Sequence, residues 1–269
     1  MKTRATLLVF VGVTMMMTLG RAEIWSASPV LAGKIAYVCG KNICLFDLTG
    51  GTNTQFAASG VNPKVSPDGN RIAFQSAGIY VMNADGTNPT RILNFGSVPA
   101  WSPDGRKIAF HSNGIWVMNA DGSGLQQVTS HGSFPAWSPD MTNIAFSSDL
   151  DTPDLDLWTV NPDGTNAHRV LSRRGQDLDV VWAPSHPIVF GGVVDQKASY
   201  EIFAFDPVTR SLNRLTNSPR QDFEPAASPD ATMIAFASFR NPAGIYVMNA
   251  DGSSPRLIIA GGRQPSWGP

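Results

Sequence analysis

Val98-Pro-Ala-Trp-Ser-Pro-Asp-Gly-Arg-Lys-Ile-Ala-Phe110 returns as Phe134-Pro-Ala-Trp-Ser-Pro-Asp-Met-Thr-Asn-Ile-Ala-Phe146, as Asn62-Pro-Lys-Val-Ser-Pro-Asp-Gly-Asn-Arg-Ile-Ala-Phe74, and with more change from Glu224 to Phe236. A degenerate copy, Asp179-Val-Val-Trp-Ala-Pro-Ser-His-Pro-Ile-Val-Phe190, lacks the Asp and one residue of the turn. A second segment follows the first: Ile79-Tyr-Val-Met-Asn-Ala-Asp-Gly86 recurs from Ile115 to Gly122, Leu157 to Gly164 and Ile245 to Gly252. The anchor prolines Pro67, Pro103, Pro139, Pro184 and Pro229 stand 36, 36, 45 and 45 residues apart. That period fits one unit of four short strands.

The two ends of the chain carry complementary halves of one more unit. Gln264-Pro-Ser-Trp-Gly-Pro269 is a first strand broken off at its turn, and Gly33-Lys-Ile-Ala-Tyr37 matches the strand that should follow it. The sequence therefore predicts an all-β, six-bladed β-propeller with four-stranded antiparallel blades, its ring closed by N- and C-terminal strands in one blade. Both alternating faces of Ile115-Trp-Val-Met118 are apolar, as expected of a sheet covered on both sides. Ala73, Ala109, Ala145 and Ala235 share one repeat position, where a small side chain suits close approach of neighbouring sheets. Asp in the Ser-Pro-Asp-Gly and Asn-Ala-Asp-Gly segments reads as turn chemistry. Trp101, Trp137, Trp182 and Trp267 share a position and read as core.

Lys2 and Arg4 precede an uncharged, mostly apolar stretch from Ala5 to Leu19, followed by Gly20, Arg21 and Ala22. This is a signal-peptide pattern over residues 1–22, with cleavage expected after Ala22. The rest, residues 23–269, is expected to be one propeller domain, monomeric, periplasmic or secreted, with no membrane span after cleavage. Net charge is −1 and 15% of residues are charged, which gives no basic field for nucleic acid. Cys39 and Cys44 are the two cysteines, placed around a predicted hairpin in an exported chain, so they are expected to pair.

The Ser66-Pro-Asp-Gly69 and Ile79 to Gly86 motifs and their copies resemble the TolB-like propeller repeats of bacterial periplasmic proteins. TolB proteins carry an additional N-terminal α/β domain, whereas here only Glu23 to Ala32 separates the leader from the first blade. The resemblance implies the propeller half. It also implies a non-catalytic, protein-binding scaffold of the cell envelope, whose partner is an envelope protein such as a Pal-like peptidoglycan-associated lipoprotein.

Function is sought where equivalent positions from the blades converge on the channel. The residues before the Pro of each inner strand, or its equivalent, are Asn62, Val98, Phe134, Asp179, Glu224 and Gln264; two positions earlier stand Gly60, Gly96, Gly132, Asp177, Asp222 and Gly262. Asp177, Asp179, Asp222 and Glu224, with Arg263 next round the ring, are expected at one channel mouth together with Asn62 and Gln264. Such carboxylates favour basic side chains of a partner or a hard cation, with Ca2+ candidates Asp177, Asp222 and Glu224. No cofactor is otherwise expected. His111, His131, His168 and His186 occupy different repeat positions, and no nucleophile elbow is present. The competing reading is a carbohydrate-binding or carbohydrate-active propeller, hydrolase or lyase, using the acidic mouth.

Overall fold

A computed structural model of the chain describes residues 31–184, 187–194 and 199–269. The expected signal peptide, residues 1–22, and His186 lie outside the described residues.

The described residues form six antiparallel sheets of four strands each. Blade 1 holds β1 (Lys34–Cys39), β2 (Asn42–Asp47) and β3 (Asn53–Ser59), with the C-terminal β24 (Arg263–Gly268) as its inner strand. Blade 2 runs outward from β4 (Val61–Val65) through β5 (Arg71–Ser76) and β6 (Gly78–Asn83) to β7 (Thr90–Leu93). Blade 3 is β8 (Ser97–Trp101), β9 (Lys107–His111), β10 (Ile115–Asn119) and β11 (Gln126–Gln127). Blade 4 is β12 (Ser133–Trp137), β13 (Ile144–Ser148), β14 (Asp156–Val160) and β15 (His168–Leu171). Blade 5 is β16 (Asp177–Trp182), β17 (Ile188–Val194), β18 (Ser199–Phe205) and β19 (Leu212–Arg214). Blade 6 is β20 (Asp222–Ala227), β21 (Met233–Ser238), β22 (Gly244–Asn249) and β23 (Arg256–Ala260).

The ring closes as the split repeat predicts. Ile35 pairs with Trp267 and Lys34 with Gly268 in the β1–β24 ladder. The inner strands pack in sequence order round the channel, and β24 contacts both β20 and β4. Apolar clusters fill the gaps between neighbouring blades; Ile72, Ile108, Ile144 and Ile188 are all fully buried. Each such side chain removed from water contributes roughly 1.5–3 kcal/mol. Ala73, Ala109, Ala145 and Ala235 are also fully buried at the shared position.

The turn aspartates are consumed by their turns. In Ser66-Pro-Asp-Gly69, Ser66 Oγ donates to Asp68 at 2.5 Å and accepts the Arg71 N–H at 2.9 Å, while the Asn70 N–H bonds Asp68 at 3.1 Å. Asp104, Asp140 and Asp230 repeat the pattern. Each of these carboxyls is held below its ordinary range, chiefly by the Ser hydroxyl. Cys39 and Cys44 are joined by a disulfide with Cα atoms 5.9 Å apart. No helix of the described residues is long and apolar enough to cross a membrane.

Candidate functional site

Every inner strand is bulged near its start. Ladder register shifts between Val61 and Lys64, Ser97 and Ala100, Ser133 and Ala136, Leu178 and Val181, and Phe223 and Ala226. Within these bulges Asn62, Val98, Phe134, Asp179 and Glu224, together with the equivalent Gln264, hold positive φ of 51–55°. This left-handed conformation is uncommon outside glycine and costs roughly 1 kcal/mol or more per residue. A bulge re-aims its side chain, and here all six line one narrow space at the inlet end of the channel, where the inner strands begin.

The strain is answered by hydrogen bonds between blades. Asp179 accepts the Glu224 N–H, Glu224 Oε2 accepts the Gln264 N–H at 2.7 Å, and Gln264 Oε1 accepts the Asn62 N–H at 2.8 Å. Asn62 Nδ2 then donates to Gln75 Oε1 at 3.0 Å. Blades 5, 6, 1 and 2 are thus stitched side chain to backbone across the inlet. Val98 and Phe134 on blades 3 and 4 offer only apolar surface.

Burial dominates the electrostatics. It pushes the Glu224 carboxyl up to about 7 and raises that of Asp179, although the Gln264 N–H pulls Glu224 back and Lys64 pulls Asp179 back. Lys64, from β4, interacts electrostatically with both; burial pushes its amine down while Asp179 and Glu224 act the other way. Lys64 occupies the repeat position of Ala100, Ala136, Ala226 and Ser266. It was not among the expected site residues, yet it lines both the inlet and the wider cavity beyond it. Its departure from the small residues of its repeat position is the signal in the sequence that marks it.

The expected site residues divide. Asp179, Glu224, Asn62 and Gln264 meet at the inlet, and Arg263 is exposed beside Glu224, pulling its carboxyl down. Asp177 and Asp222 are fully buried away from it. Arg173 pairs with Asp177 at 2.5 Å and Arg240 with Asp222 at 2.6 Å, while Ser238 Oγ donates to Asp222 at 2.6 Å. Where the other blades have Gly, a Cβ would strike an aromatic ring of the next strand, as Gly60 shows against Phe74. In blades 5 and 6 the guanidiniums lie over that ring instead, Arg173 5.5 Å from Phe190 and Arg240 5.3 Å from Phe236. Asp156 and Glu201, also fully buried, are paired to Arg169 and Arg214 at 3.3 and 3.0 Å. Among the described residues no three His, Cys, Asp or Glu side chains are gathered to hold a metal ion.

The inlet cavity has a volume of about 30 Å³, room for little more than a water molecule. Around it, on connections at the same end of the ring, stand the exposed Phe95, Leu150 and Phe239. Trp101, Trp137 and Trp267 are only 7–8% exposed, wedged between blades, and the Trp101 indole N–H donates to the Lys64 carbonyl at 2.9 Å.

Six sheets of this kind superpose on TolB from Acinetobacter baumannii with a TM-score of 0.71, over 87% of this chain and 66% of that one, at 21% identity. The fold is the TolB-like propeller. A chain from Agrobacterium tumefaciens assigned as TolB matches over 88% of this chain and 93% of its own, with a TM-score of 0.72 and 19% identity. An oligogalacturonate lyase in complex with manganese matches more distantly, with a TM-score of 0.56 and 16% identity over 80% of this chain and 69% of that one. No protein-family profile matches the chain. The chain spans just under two thirds of the Acinetobacter TolB and nearly all of the Agrobacterium chain, so the TolB-like propeller is the part the comparison covers.

Proposed function

We propose that this TolB-like propeller is an exported, non-catalytic scaffold of the bacterial cell envelope that docks a partner protein on the inlet end of its ring. The observation that carries the reading is the two-sided inlet. Val98 and Phe134 line the inlet with apolar surface on blades 3 and 4, with the exposed Phe95 and Leu150 on connections at the same end of the ring, whereas Asp179 and Glu224, with Arg263 exposed beside Glu224, make a polar arc on blades 5, 6 and 1. An inlet of about 30 Å³ holds no substrate, so recognition is by surface contact. Apolar anchors beside a polar arc suit a partner that offers an apolar side chain next to hydrogen-bonding ones. By its resemblance to TolB the expected partner is a Pal-like peptidoglycan-associated lipoprotein.

The carbohydrate reading is the competitor, and it calls for aromatic faces on which sugars can stack. The wedged Trp101, Trp137 and Trp267 offer little face. The test immobilises mature wild type and Phe134→Glu in envelope extract, with a glycan array run in parallel. Recovery of the lipoprotein by wild type alone is the expected result. Glycan binding without any recovered protein contradicts the scaffold reading.

A further inference from the structure

At the outlet end, where the inner strands finish, the channel widens into a cavity of about 470 Å³. Its rim carries one proline from each blade, Pro67, Pro103, Pro139, Pro184, Pro229 and Pro269. Its wall is completed by Trp101, Trp137, Trp182 and Trp267, and Lys64 lies in the neck at its floor. We propose that this cup is a binding site for a small aromatic monocarboxylate, whose ring system packs within the proline and indole wall and whose carboxylate meets the Lys64 ammonium. The proposal is independent of partner docking at the inlet.

The volume lies in the range of small-molecule sites, which combine apolar walls with a few placed polar groups. Lys64 is the cation among these walls, and none of the ion pairs described within 4.0 Å includes it. Asp179 and Glu224 lie on its inlet side, but burial raises both carboxyls, Glu224 to about 7, which weakens their hold on the ammonium near neutral pH. Burial lowers the Lys64 amine as well, so a carboxylate arriving from the cup side would supply counter-charge that favours its protonated form. The wall chooses the body of the ligand. The six rim prolines have no N–H to pair with a peptide, which disfavours an extended chain there. Trp101, Trp137 and Trp267 are wedged between blades and Trp182 is half-buried, so the wall is closed by indole surface, against which a ring system packs well.

The test is calorimetric titration of mature protein with 2-naphthoate and with the neutral 2-naphthalenemethanol. Wild type is expected to bind naphthoate at one site. Lys64→Met should weaken naphthoate about tenfold or more and leave naphthalenemethanol unchanged, since a charge-assisted contact is lost and the apolar wall is kept. Ala100→Phe, which fills the cup and keeps the charge, should abolish binding of both with the melting temperature retained. Should Lys64→Met not fold, Ala100→Phe decides alone. No naphthoate binding by wild type at millimolar concentration, an unchanged affinity in a folded Lys64→Met, or full binding by Ala100→Phe would overturn the proposal.

Discussion

Glu224 Oε2 accepts the backbone N–H of Gln264 at 2.7 Å, joining blade 6 to the C-terminal strand that closes blade 1. Both residues sit in the left-handed region, with φ of 54°. The conformation turns each N–H toward the side chain of the preceding blade, so that local backbone strain is offset by a bond between blades, each of order 1 kcal/mol. The residues that tie blades 5, 6, 1 and 2 together at the inlet are thereby among those proposed to meet the partner.

That relationship gives a pH signature. The folded Glu224 carboxyl titrates near 7 against an ordinary value of 4.5, so the folded state keeps a proton that the unfolded chain has lost. Its contribution is fully present below the ordinary value and is lost as pH rises toward 7, by up to about 3 kcal/mol. Glu224→Gln keeps an acceptor for the Gln264 N–H and does not titrate. Urea unfolding at pH 5 and pH 8 should show wild type losing more stability than the variant over that interval. Parallel losses in the two proteins would contradict the account. The depressed Asp68, Asp104, Asp140 and Asp230 act with opposite sign, their stabilisation being lost as pH falls below the ordinary carboxylate range.

Asp222 and Arg240 test the division of the acidic residues. Asp222→Asn strips the partly buried Arg240 guanidinium of its counter-charge and should cost about 2–3 kcal/mol. Asp222→Gly with Arg240→Leu, which restores the glycine that four blades carry, should recover part of that loss. Denaturant midpoints measure both. A single variant as stable as wild type would mean that Arg240 is not held by Asp222.

The architecture was legible because each blade repeats the same buried faces and the same turn, and because the chain ends on half a blade. Ile35 pairing with Trp267 is the contact that the split unit implies. The site was only partly legible. Asp179 and Glu224 stand out as charges against the repeat, and they reach the inlet. Asp177 and Asp222 stand out equally, but their partners come from different kinds of connection, Arg173 from the one between blades 4 and 5 and Arg240 from a hairpin within blade 6, which a position-by-position alignment does not bring together. The left-handed bulge left no mark either, since it is made by main-chain geometry at residues as unlike as Val98 and Glu224.

Deleting Gln264 to Pro269 removes β24, and with it the ladder to β1 and the packing against β20 and β4. The apolar face of blade 1 and an unpaired β1 edge become exposed, a template for aggregation. The truncated protein should melt far below wild type or aggregate, as read by differential scanning fluorimetry and light scattering. An unchanged melting temperature would rule out closure at this strand.

The most direct test of the central claim is the affinity of the mature protein for the soluble domain of a Pal-like lipoprotein, measured by biolayer interferometry. Phe134→Glu places a charge on the apolar arc and Asp179→Asn with Glu224→Gln neutralises the opposite arc. The account predicts binding by wild type, a loss of about tenfold or more in each variant, and unaltered binding by Ala100→Phe at the outlet. Equal affinity in wild type and both inlet variants, or no binding by wild type at all, would contradict it.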